Sequence, residues 1–407
     1  MASTGDPKEA AGSEPAQVEK ELTGGERKSI FRSVLSATVG LEFGLGLQRG
    51  IFNNFVVETL HIQPDQLGLV QSIREIPGLL TAPLAVVQGF FKENVWAGLC
   101  LLITAAGLFL HTMVFSFPML ILATLVLSTG FHLFYPAQSS IMMKSALPEE
   151  RATRMGQMNS GAAAASLMSV FIVMAISRGR ATNYGLLHLI ASVFAVVGGI
   201  LVLTRTMPSM ARGKRAMNYD KRFTSYYILT LLGGSRRQIT TTFAGYLLVQ
   251  TFHTPVAVMV LLSAISSIVA IVTRPLIGRV VDSWGEQNSL VVNYSLVIGL
   301  FVGYALVSSA IPLFIIYILD NGLIGFDVAI TTHLGKIAPK EVLSSAYAMG
   351  QTVNHITGVS VPALGGLLWK AFGGPSVFLC GTAIALLSLL YSRGLNKKEQ
   401  QAIAAAV

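Results

Sequence analysis

Charge is what this sequence has least of: Asp, Glu, Lys and Arg make up 12% of its 407 residues, against roughly 25% in an ordinary soluble domain. So little charge cannot cover a water-facing surface, and the main solvent of this chain is therefore lipid. Only two cysteines occur, Cys100 and Cys380, both in apolar stretches, where a thiol acts as a small hydrophobe. No Cys/His cluster has zinc spacing and no phosphate-binding Gly-Lys-Ser/Thr loop is present, so neither a metal centre nor an ATP-driven pump is indicated. No motif supports enzymatic chemistry, and no cofactor is expected. Residues 1–30 lack any apolar core. They are neither a signal peptide nor a span, and read as a disordered cytosolic tail.

What the sequence has in abundance is apolar length, with AVILMFWYC at 52%. A helix needs about 20 apolar residues to cross the roughly 30 Å hydrocarbon core, and twelve such stretches fit between Phe31 and Tyr391. They are continuous rather than alternating with a period of two, which excludes a barrel and leaves helices to satisfy the backbone in lipid. The expected fold is an all-α membrane protein of twelve transmembrane helices.

A net charge of +9 invites a nucleic-acid reading, but topology explains it. With the N-terminus inside, 21 of the 29 basic residues fall in cytosolic segments, and only Arg178, Arg180 and Lys370 in external loops, as the positive-inside rule requires. Both termini are expected in the cytosol, in a bacterial inner membrane, and the partners are the bilayer and a small solute rather than nucleic acid.

The chain also repeats itself. Phe55 to His61 aligns with Leu247 to His253, Pro83-Leu84 with Pro275-Leu276, and Gly130 through Lys144 to Gln157 with Gly325 through Lys336 to Gln351, all at shifts near 192. These matches, all in register, divide the chain into two six-helix, pseudo-symmetric halves, residues 31–204 and 223–393. A basic cytosolic linker, residues 205–222, joins them, and residues 394–407 form a cytosolic tail. Hydropathy alone starts the seventh span after Arg237, whereas the repeat runs it from residue 223 to 253 and places Arg236 and Arg237 near mid-membrane.

The pattern Gly278, Asp282, Gly285 between two spans resembles the loop signature of the major facilitator superfamily. In the first half Phe90 stands where the Asp is expected. Gly358 through Pro362 to Gly366 is similar to that family's Gly/Pro-rich helix, whose small residues let helices approach closely. The fifth span, with no Gly-Pro pair, departs from the family's drug/proton antiporters. The resemblance implies a secondary transporter with a central cavity between the halves, alternating access by rocking, and a gating role for Gly278, Asp282 and Gly285. A monomer is expected.

Ionisable groups at mid-bilayer cost at least about 2.5–3.5 kcal/mol each on insertion scales, so those present are site candidates. Glu42, Arg49 and Asn53 are spaced by seven and four residues, one face of the first helix. Arg236 and Arg237 cannot both face lipid, and their planar forks suit a carboxylate or phosphate. The expected substrate-binding set is Arg49, Asn53, Arg236, Arg237, Gln250 and Asn354, with Glu42, Asp320, Asp327 and His132 as proton-coupling groups. His132 and Asp327 align in the repeat, so they are expected to approach each other across the cavity. Arg74 with Glu75, and Glu42 with Arg49, can equally be helix-locking ion pairs. His132 and His355 can equally be hydrogen-bonded core histidines. Three functions compete: proton-coupled transport of a small organic anion or zwitterion, efflux of amphipathic cations or drugs, and a transporter-like receptor or scaffold that no longer transports.

Overall fold

The structure, a computed structural model, describes residues 22–88, 90–177, 182–205 and 219–395. The first half comprises α1 (Gly24–Asn54), α2 (Pro64–Leu79), α3 (Thr81–Gln88), α4 (Glu93–His111), α5 (Phe117–Ser145), α6 (Arg151–Ile176) and α7 (Tyr184–Leu203). The second comprises α8 (Thr224–Ile239), α9 (Gly245–Phe252), α10 (Val256–Leu306), α11 (Ala310–Leu323), α12 (Val328–Ile337), α13 (Lys340–Phe372) and α14 (Gly374–Arg393). The architecture is all-helical, with α2–α3, α8–α9 and α11–α12 each forming one span and α10 forming two.

α10 turns at Gly285, whose φ of 76° and ψ of 165° lie in a region essentially reserved for glycine. This turn joins the eighth and ninth spans. α1 begins at Gly24, inside the stretch read as tail, because Thr23 and Glu26 form a capping box that satisfies the first free amides. Residues 1–21, most of the linker (206–218) and residues 396–407 lie outside the described residues. At the linker's far end Asp220 accepts from the Arg222 side chain and amide, which holds its carboxyl below the usual carboxylate range.

Among the described residues, eight helices are long and apolar enough on their own to cross a bilayer, and their outer faces carry exposed Met168, Phe171, Leu306, Ile311 and Leu386. Lipid is the solvent such faces require. The spans built from α2–α3, α8–α9 and α13 fall outside that set. They are the more polar helices, and they line the seam between the halves.

The seventh span is the long one. α8 continues through a π turn, Thr240–Ala244, into α9, so Arg236 and Arg237 lie within the membrane span, as the repeat implies. Pseudo-symmetry reaches the backbone: His61 and His253, aligned in the repeat, are the two non-glycine residues with positive φ among those described, at 50° and 51°.

The halves close at the side away from the termini. Asn54 Nδ2 donates to the Thr254 carbonyl (2.9 Å) and Tyr246 Oη to the Ile62 carbonyl (2.8 Å), two bonds related by the repeat. Lys370 adds an ion pair with Asp65 at 2.8 Å. At Gly68 a Cβ would sit 2.1 Å from the Pro362 carbonyl oxygen, so only glycine lets α2 and α13 approach this closely. One apolar core, from Phe52 and Leu67 to Phe243 and Trp369, spans both halves here. On the termini side the cores separate, one in the first half and one around Phe223 and Tyr294 in the second, and the space between them is a cavity.

Candidate functional site

That cavity, of about 440 Å³, is lined by Arg74 and Glu75 of α2, Gly233, Gly234, Arg237 and Gln238 of α8, Asp327, and Tyr347, Gln351 and Asn354 of α13. Its charged groups come from α2, from α8 and from Asp327. Consecutive residues on a helix point about 100° apart, so Arg236 and Arg237 take different directions. Arg236 is wholly buried, with Nη1 3.4 Å from Asp320 Oδ1 and Nη2 3.6 Å from Asp327 Oδ1. Arg237 faces the cavity, donating from Nη1 to Asp327 Oδ2 at 2.9 Å and from Nη2 to Asn354 Oδ1. Thr240 Oγ1 donates to Asp320 Oδ2 at 2.7 Å. Two guanidiniums and two carboxylates thus alternate from the bundle interior to the cavity wall, with Asp327 touching both arginines.

In the first half, Arg49 pairs with Glu42 at 2.9 Å and Tyr135 Oη donates to the other Glu42 oxygen at 2.6 Å. Glu42 and Tyr135 line a smaller cavity of about 180 Å³ with Gln138, Met155 and Asn159. Glu42 and Arg49 thus form an ion pair within α1, with Glu42 also on the wall of this cavity.

Several expected placements are corrected. Arg236 is sealed from the cavity, so of the two arginines only Arg237 meets it. Asn53 packs against Gly245, and Gln250 is exposed in the last turn of α9, beside Thr251. Gln250 lies thirteen positions past Arg237, about 20 Å further along the helix, at the closed side. His132 and Asp327 do not pair: Asp327 is held by the two arginines, and His132 lies near Glu75 (3.9 Å) and Ser128 (2.9 Å).

Asp282 is exposed and has no ion-pair partner among the described residues. The buried carboxylate at that turn is Glu286, bonded to Lys336 at 2.6 Å, because the Gly285 turn starts the next span inward. The first half has the counterpart, Glu93 to Lys144 at 2.5 Å, and the two lysines align in the repeat. Gly278 has open space around it.

The residues least expected at the site are Glu75 and His355. Glu75, which the sequence offers as an ion-pair partner of Arg74, meets His355, which it offers as a core histidine: Oε2 lies 3.1 Å from Nδ1 across 280 positions of sequence.

A helical bundle of two repeated halves around a polar, charge-lined cavity defines a solute carrier. The sequence profile of the major facilitator superfamily matches residues 34–359, and the chain belongs to that family. Among solved structures it is similar to the nucleoside transporter NupG at 15% identity, with a TM-score of 0.77 over 90% of this chain and 99% of that one. It is likewise similar to a bacterial homologue of the human lysosomal transporter Spinster, solved inward-facing and unoccupied, at 12% identity and a TM-score of 0.78 over 94% and 99% of the two chains. A D-xylose-proton symporter follows at 12% identity and a TM-score of 0.69 over 89% and 96%. No curated protein matches the sequence. The chain is a transmembrane transporter and not an enzyme.

Proposed function

We propose that this transporter moves a small organic anion or zwitterion together with a proton, by alternating access. The observation that carries the reading is the position of Asp327, which bridges the buried Arg236 and the cavity-facing Arg237. While Asp327 is ionised, the guanidinium of Arg237 is occupied. Protonating Asp327 weakens that bond and frees a planar fork for a substrate carboxylate or phosphate, so proton and anion enter together. Asp320, kept company by Arg236 and Thr240, holds Arg236 in place whichever state Asp327 is in.

In reconstituted vesicles, an inward proton gradient should drive accumulation of the solute in the native protein. Asp327→Asn should abolish that accumulation while leaving solute exchange intact. Gradient-driven accumulation that survives the substitution would remove Asp327 from the coupling.

A second reading, a neutral polyhydroxylated solute, is favoured by the charge balance of the cavity, where Arg74 faces Glu75 and Arg237 faces Asp327 beside Gln238, Gln351 and Asn354. The nucleoside transporter and the xylose symporter lend it support. Thermal-shift screening separates the two, since a ligand of the folded state raises the melting temperature: organic acids should do so under the first reading, nucleosides or sugars under the second.

The cavity opens toward the side that carries the termini, which the positive-inside rule makes the cytosol. In a cysteine-free background, a membrane-impermeant thiol reagent should reach Gln63→Cys from outside intact cells and not Glu149→Cys. The reverse pattern would invert the orientation.

A further inference from the structure

At the seam between the halves, three helices bring one carboxylate and two imidazoles to a point. A ligand atom from each of Glu75 on α2, His132 on α5 and His355 on α13 lies within 4.8 Å of the other two. The room for this meeting is made by Gly78, one turn along α2 from Glu75, where a Cβ would stand 2.4 Å from His355 Cε1 and 2.8 Å from His132 Cδ2. Any larger residue would displace both rings.

The second layer of contacts orients the donors. His132 Nδ1 lies 3.0 Å from the Ser128 carbonyl and 2.9 Å from the Ser128 hydroxyl. An N–H donated to that carbonyl leaves Nε2 as a lone pair, the arrangement typical of a metal-ligating histidine. That Nε2 faces Glu75 Oε2 at 3.9 Å, too far for a hydrogen bond and near the separation of two ligands that share one ion at about 2.0–2.2 Å. His355 Nδ1 approaches the same oxygen at 3.1 Å. Arg74, the other charge facing the trio, lies 3.4 Å from Oε1 and leaves Oε2 to the histidines. Glu75 also lines the cavity, so water can supply a fourth ligand.

We infer that Glu75, His132 and His355 bind one divalent transition-metal ion of the zinc class, and that the bound ion ties the two halves together. Two imidazoles with one carboxylate suit zinc, cobalt or nickel and not magnesium or calcium, which take oxygen donors. Glu75 and His132 belong to the first half and His355 to the second. An ion held by all three must lose a ligand when the halves rock apart at this seam, so it favours the state in which the cavity opens on the termini side.

The test uses the full-length protein in detergent. Cobalt(II) should bind at one ion per chain with the visible absorption of a low-symmetry, four-coordinate site, and zinc should displace it. Glu75→Gln and His355→Gln should each weaken binding at least about tenfold. His61→Gln, in an exposed turn, should leave binding unchanged. His355→Cys keeps a donor and should add a thiolate-to-cobalt charge-transfer band, a gain that a misfolded variant would not give. Absent cobalt absorption in the native protein, or undiminished binding in both Gln variants, would overturn the site. For the tie between halves, a cysteine at the buried seam position Leu67 should react with a soluble thiol reagent several-fold more slowly once zinc saturates the protein. An unchanged rate would overturn it.

Discussion

In the first half the embedded acid Glu42 is met by an arginine of its own helix, Arg49, seven residues on, and by Tyr135. In the second half the acids Asp320 and Asp327 are met by arginines from another span, 84 and 90 positions away. The Arg49 side chain is 51% exposed, whereas those of Arg236 and Asp320 are wholly buried. The first arrangement lies within α1 apart from one hydroxyl from α5. The second binds α8 to the tenth span and leaves one guanidinium, Arg237, at the edge of the cavity, so the two halves place their embedded ion pairs differently.

The sharpest way to break this comparison is to remove one arginine from each half. Arg236→Met strands Asp320 in a dry site and should cost about 3–5 kcal/mol. Arg49→Met, at a half-exposed pair, should cost about 0–1 kcal/mol. Unfolding in detergent, followed by heat or denaturant, measures both. Equal losses would mean the two pairs are equivalent after all. Arg236→Met with Asp320→Asn should recover much of the first loss, since no charge is left unpaired.

A smaller effect separates ligand contact from structure. Arg237→Lys keeps the charge but loses the fork that spans Asp327 and Asn354, and should weaken an anionic solute about tenfold, or about 1.4 kcal/mol. Arg49→Lys should leave affinity unchanged. Solute titration of both variants decides it, and the opposite ranking would move the binding site into the first half.

The smallest effect concerns the termini-side ends, where the halves behave alike. Glu93→Gln and Glu286→Gln each release a lysine, Lys144 or Lys336, and each should cost about 0–1 kcal/mol by detergent unfolding. A large loss in one alone would show that the equivalence is only formal. Asp282→Asn should be nearly silent, because that side chain is exposed and carries no ion pair.

The span count, the repeat and the long seventh helix were legible in the sequence because each depends on local composition. Lipid demands apolar runs of fixed length, and a duplicated fold keeps its polar interruptions in register. The repeat accordingly places Arg236 and Arg237 within the seventh span without reference to their partners. Which polar groups meet was decided by tertiary structure alone. The repeat aligns His132 with Asp327, yet His132 sits beside Glu75 and His355. Polarity alone singles out Gln250 and Asn53, and it carries no information on depth or facing. Such pairings depend on how far each helix is rotated about its own axis and where one half is tilted against the other. The contact between Glu75 and His355 across 280 positions records both, and no window of sequence contains it.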